Sequence, residues 1–379
     1  MAGPFAFSAF PGGPAIYCPA KAGPEPVGVE TPMRDPIRIA GREIKPGEQL
    51  SFDVPIVDLS TRTPMTMPVQ VIHGTEEGPR LFVSAAIHGD EINGVEIVQR
   101  LMADPGLAQL HGTLIAVPIV NVFGFVSQSR YLPDRRDLNR SFPGSPRGSL
   151  AARLAHLFLT EIVANSTHGI DLHTGAIHRA NYPQVRANLD QPETEKLAKA
   201  FGAQVVINSG FRQGSLRESA SKWRVPVLVY EAGEALRHDG PSIEQGVRGV
   251  RNVMDALGML PAKRDGAPKI EPLIARSSSW ARAPQSGVLR DAVALGAAVE
   301  KGSALGYVAD PFGAGRTKVK SRADGMVIGL TNLPLVYEGD ALFHLVQSSG
   351  DQVDAAELDV PEGDLDQDWD DQDQALTYG

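Results

Sequence analysis

Along this chain the apolar positions follow two rhythms. Continuous or alternating apolar runs at 37–44, 49–55, 67–72 and 81–87, with Pro46-Gly47-Glu48 as punctuation, predict short strands. Beyond residue 90 such runs alternate with stretches of helical spacing. Ile92, Val95, Val98 and Met102 share one face of a helix over 91–102, and Leu154, Leu157, Phe158 and Ile162 share one over 150–163. Further helices are expected at 192–201 and 242–257, with buried strands at 113–120, 168–172, 204–208 and 225–230. Strands and helices in alternation predict an α/β fold with a mostly parallel or mixed sheet flanked by helices.

The texture changes after 261–272, where Pro, Lys, Asp and Gly cluster into a linker. Residues 273–348 carry an internal echo: Ser286-Gly287-Val288, Glu300-Lys301-Gly302 and Leu305-Gly306-Tyr307 answer Asp324-Gly325-Met326, Tyr337-Glu338-Gly339 and Leu342-Phe343-His344. Two quasi-equal β halves predict a small all-β domain, similar to the barrel-sandwich hybrid of biotinyl and lipoyl carriers. Lys318 and Lys320 lie between the halves, but their surroundings lack the carriers' lysine motif, so a structural role or a substrate-access wall is expected. The resulting division is a loose Gly/Pro/Ala-rich arm at 1–30, a catalytic domain at 31–260, a linker at 261–272, the β domain at 273–348 and a disordered tail at 349–379.

Charge is unevenly placed. The net charge of −9 arises in the tail, because residues 351–379 hold eleven acidic groups and no Lys or Arg, leaving about +2 on the rest. A nearly neutral body offers no basic field for nucleic acid and no polybasic segment for an anionic membrane. No apolar run approaches the roughly 18 residues of a membrane span, and the N-terminus lacks the basic region of a secretory signal. Cys18 is the only cysteine, so an intrachain disulfide is impossible and a cytoplasmic setting is expected. Homo-oligomerisation is the default expectation for such an enzyme.

The candidate chemistry begins where the apolar strand 81–87 runs into His88-Gly89-Asp90-Glu91. Imidazole and carboxylate leave one strand end, and His173, in Asp171-Leu172-His173-Thr174-Gly175, leaves another. In open α/β sheets ligands collect at the carboxyl ends of strands. Two His and one Glu make a three-ligand zinc site that keeps a position for water, the catalytic kind, and the expectation is one Zn(2+) per chain serving an amide hydrolase. Glu231 follows the strand 225–230 and is the candidate general base, with Glu234 as its rival. Between 130 and 140 stand four arginines, and Arg140 with Asn139 makes a clamp for a substrate carboxylate, implying an anionic substrate. Asp137 is placed to accept the spare N–H of a zinc-bound histidine.

In order and approximate spacing, His88-Gly89-Asp90-Glu91, Asp137-Leu138-Asn139-Arg140, His173-Thr174-Gly175 and Glu231 resemble the succinylglutamate desuccinylase/aspartoacylase family, a branch of the M14 zinc carboxypeptidase fold. The resemblance covers roughly residues 35–345. It implies His88, Glu91 and His173 as zinc ligands, Glu231 as general base, Asn139 and Arg140 as binders of the substrate carboxylate, and Asp137 as the carboxylate behind a ligand. It also implies an arginine that polarises the scissile carbonyl; Arg130-Tyr131 resembles the family's pair, two residues further from Asn139 than usual, and Arg135 and Arg136 are the alternatives. The implied function is hydrolysis of a small anionic N-acyl amino acid. The runner-up is an M14-type carboxypeptidase that trims acidic residues from a peptide or protein C-terminus, and a third reading is a zinc-binding protein without turnover. Other histidines, His344 among them, read as surface or satisfied core residues, while His178 and Arg179 follow His173 closely enough to line a pocket.

Overall fold

The computed structural model describes residues 34–261 and 271–347. The expected arm at 1–30, residues 262–270 of the linker and the tail at 349–379 lie outside the described residues.

Sheet and helices form three layers. A 13-stranded mixed sheet runs through the described residues, and the strands that matter for function lie side by side: Val227–Glu234, His168–Gly175, Glu76–Ala85 and His111–Val117 are mutually parallel. Alternation along each strand sorts side chains to the two faces. Leu81, Val83 and Ala85 join Ile97, Leu101, Phe201, Val250 and Val253 of helices Asn93–Met102, Pro192–Phe201 and Gly240–Ala256 in one core. Phe82, from the same strand, faces the other way and packs edge-on to Phe158 of helix Leu150–Glu161, 5.8 Å between ring centroids. Each such fully buried Val, Leu, Ile or Phe side chain contributes about 1.5–3 kcal/mol. The helices begin where the chain supplies caps: Ser149 accepts the N–H of Ala152, and Asp239 that of Ser242, with Pro241 in the first turn.

Two expected elements end differently. The run 37–44 is not one strand but a hairpin of Ile37–Ile39 and Arg42–Ile44, because Ala40 and Gly41 both take positive φ. The strand expected to reach Ile87 stops at Ala85, where Ala86 has φ of 50° and breaks the ladder. One strand escapes the sequence reading altogether. Arg179–Ala187 carries Pro183 at its centre and is only half buried over its first five residues, so it shows no strand rhythm. The proline is tolerated for a definite reason: along one edge residues 179–181 pair with Gly329–Thr331 and residues 184–187 pair with Val205–Asn208, and Pro183 falls in the gap, where no ladder N–H is required.

This unpredicted strand carries the sheet into the C-terminal segment. Beyond it come Gly325–Thr331, Ala341–Val346 and Ser278–Arg282, all antiparallel to their neighbours, so strands after residue 273 continue the sheet that holds His173. The rest of that segment forms a four-stranded sheet of Thr317–Lys320, Ala304–Ala309, Gly287–Arg290 and Leu335–Val336, closed over Leu289, Leu305, Val308 and Phe343. Lys318 and Lys320 lie within a strand, not at a hairpin tip.

Candidate active site

A turn and a strand end at the carboxyl edge of the sheet deliver the central groups. After Ala86 the chain reverses, and Gly89 lies so close to Gly124 that a Cβ there would meet its carbonyl carbon at 1.9 Å. Only glycine fits, and this pins His88 beside the sheet. Helix Asn93–Met102 starts two residues after Glu91, so Glu91 leaves a turn closed by its own N–H to the His88 carbonyl, 3.2 Å. His173 lies on the fully buried strand His168–Gly175, directly opposite Glu231 on Val227–Glu234.

His88, Glu91 and His173 converge. His88 Nδ1 lies 2.7 Å from Glu91 Oε1, and His173 Nδ1 lies 2.8 Å from Glu91 Oε2. The Thr174 N–H also donates to Glu91 Oε2, 3.1 Å. Behind each imidazole stands a carboxylate: Asp137 Oδ1 is 3.2 Å from His88 Nε2, and Asp171 Oδ2 is 2.8 Å from His173 Nε2. Asp171 in turn accepts from Ser84 Oγ, 2.7 Å. Asp171 is a functional residue without an expected role, although an Asp two residues before a strand histidine shares its face and is the available signal.

With Nε2 on each ring engaged by a carboxylate, both Nδ1 atoms turn inward, and one ligand atom from each of the three residues lies within 4.8 Å of the others. Two imidazole nitrogens and one carboxylate oxygen, all buried, are a donor set that fits zinc. The electrostatics agree. Burial opposes charge on His173, yet Asp171 and Glu91 outweigh it and hold the imidazole pKa well above its ordinary value. His88 is raised as well, burial and Arg130 being outweighed by Glu91 and Asp137. Glu91 is depressed because His88 and His173 overcome its burial. Asp137 is held well below the usual carboxylate range because Arg130 and His88 overcome its burial. The neighbouring Asp90 goes the other way, pushed up to about 6 by burial and by Glu91.

Arg130 reaches into this cluster. Its Nη2 donates to Asp137 Oδ2 at 2.8 Å, and Nη1 stands 3.5 Å from Glu91 Oε1. Arg135 and Arg136, the alternatives, are exposed and do not line the cavity. Asn139 and Arg140 both line it. The Leu216 N–H donates to Asn139 Oδ1 at 2.9 Å, which turns the NH2 end of the amide into its free donor. Glu231 lines the cavity too, its Oε2 accepting from Asn181 Nδ2 at 2.8 Å and its Oε1 3.9 Å from Arg186 Nε. Glu234 is engaged elsewhere, by the His178 N–H and by Asn332 Nδ2, and does not line the cavity.

The cavity measures about 430 Å³ and extends well beyond the residues singled out from sequence. Asn181 and Arg186 of the unpredicted strand, Arg217, and Trp280 and His344 from the C-terminal segment all line it. His344 departs from its bland reading: it is 3% exposed, its Nδ1 has no hydrogen-bond partner, and its ring stacks on Trp280 at 4.6 Å and 4°. Of the pair expected to line a pocket, Arg179 does and His178 does not.

Against known proteins, residues 77–257 match the model of the succinylglutamate desuccinylase/aspartoacylase catalytic domain. The N-alpha-acetyl-L-2,4-diaminobutyric acid deacetylase of Halomonas elongata is 29% identical over 268 residues, 68% of this chain and 78% of that protein. Among solved structures, a succinylglutamate desuccinylase/aspartoacylase from Rhodobacter sphaeroides superposes with a TM-score of 0.72 at 23% identity, over 84% of this chain and 97% of the other. The product-bound ectoine utilization protein EutE (DoeB) from Ruegeria pomeroyi gives 0.70 at 24%, over 83% and 96%. At these identities the two structures speak to the fold, including the C-terminal β strands.

Proposed function

We propose, from the premise that residues 77–257 belong to the succinylglutamate desuccinylase/aspartoacylase catalytic family, that this chain is a zinc-dependent amidohydrolase releasing the acyl group of a small anionic N-acyl amino acid. The observation that carries the reading is the buried His88–Glu91–His173 cluster, which opens with Glu231 and Arg130 into one arginine-lined cavity. In this reading residues 31–260 supply the catalytic groups, and the 273–348 segment supplies a wall.

His88, Glu91 and His173 would hold the metal, which when bound acidifies water and polarises a carbonyl oxygen. Glu231 takes the proton of the attacking water and returns it to the departing nitrogen. Asn181 fixes the carboxylate that does this, so the proton moves at Glu231 Oε1 or Oε2 with little reorganisation. Arg130 presents its guanidinium where negative charge develops on the former carbonyl oxygen. Asp137 and Asp171 fix the orientation of the two imidazoles. The Asn139 amide and Arg140 grip the substrate carboxylate in a fork that matches its two oxygens.

A cavity walled on one side by Trp280 and His344 suits a free acyl amino acid better than a peptide tail, which supports the deacylase over the carboxypeptidase reading. The test is metal analysis of the purified chain beside a panel of N-acetyl and N-succinyl amino acids and short peptides ending in Glu or Asp. About one zinc per chain with amino acid released from the acyl panel is the expected result. Cleavage of the peptides alone would transfer the chain to the carboxypeptidases, and absence of stoichiometric metal would remove the reading altogether.

A further inference from the structure

One face of the sheet carries a transverse row of residues that leads away from the metal ligands. His173 stands opposite Glu231; Asn181, which holds Glu231, stands opposite Gly329; Gly329 stands opposite His344, and His344 opposite Trp280. Three strand spacings of about 4.8 Å separate the Glu231 strand from the His344 strand, about 14 Å in all. The same cavity touches both ends of the row. Acyl amino acids with the shortest chains would fill only its inner end.

The outer end has the marks of a built site. His344 is nearly inaccessible, yet its Nδ1 lacks a partner, and buried polar atoms are otherwise almost always paired. Its ring is fixed by the Trp280 stack, and Arg179 lies over the same indole with Cζ 5.0 Å from the ring centroid. Gly329 makes the space: a Cβ there would lie 2.8 Å from His344 Cβ. Burial, then Arg186 and Arg179, depress the imidazole pKa, so the ring is neutral and offers one N–H donor beside guanidinium charge. A donor and a cation against a flat aromatic wall match a carboxylate and repel an ammonium group.

We propose that His344, Trp280 and Arg179 form a distal subsite for a second carboxylate of an elongated acyl amino acid, so that the cavity discriminates by the distance between carboxylates. This rests on the deacylase reading for the identity of the substrate, but its binding chemistry can be measured without turnover. The experiment is calorimetric binding of straight-chain α,ω-dicarboxylates, succinate through sebacate, and of their monomethyl esters, to the purified full chain and to His344→Phe. Affinity is expected to rise with length and then level, and the longest ligands are expected to lose about tenfold or more on esterification, the order of a charged hydrogen bond. In His344→Phe, which keeps the stack but loses the donor, the acid preference should shrink several-fold, and in the double variant His344→Phe/Arg179→Gln acid and ester should bind alike.

Length-independent binding, an acid preference undiminished in His344→Phe, or no binding of any dicarboxylate would each overturn the subsite. Should His344→Phe not fold, Arg179→Gln carries the same comparison. If the acyl panel releases no amino acid while the length dependence and the weakened acid preference of the variant persist, the deacylase reading falls and the subsite stands.

Discussion

Asn181 and Glu231 are joined side chain to side chain across adjacent antiparallel strands, Nδ2 to Oε2 at 2.8 Å, although the strand bearing Asn181 shows no strand pattern in the sequence. The contact leaves Glu231 one fixed orientation facing the cavity. Asn181→Leu is predicted to lower kcat by about tenfold, with metal content unchanged, as expected when a general base loses its alignment but keeps its charge. Steady-state kinetics with parallel metal analysis checks this. A loss of metal instead would assign Asn181 to the ligand cluster.

Glu231 itself and the histidine ligands should separate cleanly. Glu231→Gln keeps shape and metal but removes the proton acceptor, and turnover should fall by about 10²- to 10⁴-fold. His88→Ala should lose metal together with activity. Near wild-type turnover in Glu231→Gln would move the base elsewhere.

Asp171 is expected to act through His173. Asp171→Asn keeps a hydrogen-bonding group but no charge at the Nε2 side, and metal affinity should weaken by about 10- to 100-fold. Ser84→Ala, one bond further out, should weaken it less. Competition with a chromophoric chelator gives both affinities. Equal effects from the two variants would indicate a packing defect rather than control of the imidazole.

His344 predicts a pH dependence of stability. Its folded pKa lies well below the ordinary value near 6.5. Above that value the group is neutral in both folded and unfolded chains and contributes no slope. As pH falls through about 6.5 the unfolded chain takes up a proton that the folded one refuses, so stability falls. The raised His88, His173 and Asp90 act in the opposite sense over the same range, so the signature is the difference between proteins: from about pH 7.5 to 5 the urea midpoint should drop further, or climb less, in the parent chain than in His344→Phe. Identical pH dependences in the two proteins would assign the slope to other groups.

How much of this was legible in the sequence depends on the range over which each feature is encoded. His88 and Glu91 are three residues apart and follow an apolar run, so local pattern alone reveals them. His173, Asn139 and Arg140 sit in compact motifs. Helix Pro192–Phe201 lies where its spacing placed it, because an amphipathic face and a first-turn proline are both local signals. Trp280 and His344 carry no such signal. They reach the cavity only because Arg179–Ala187 pairs with the C-terminal strands, and that strand was hidden by Pro183 and its half-buried composition. Even the ending of the strand Glu76–Ala85 at a non-glycine residue of positive φ has no counterpart in residue pattern.

The continuity of the sheet also limits how the gene for this chain could be trimmed. Deleting everything after residue 273 would strip residues 179–181 of their partner and leave Val205–Asn208 without Leu273–Ala275 alongside it. Unpaired backbone edges of that kind invite pairing with other chains. A shortened protein would therefore trade its cavity wall for a tendency to aggregate.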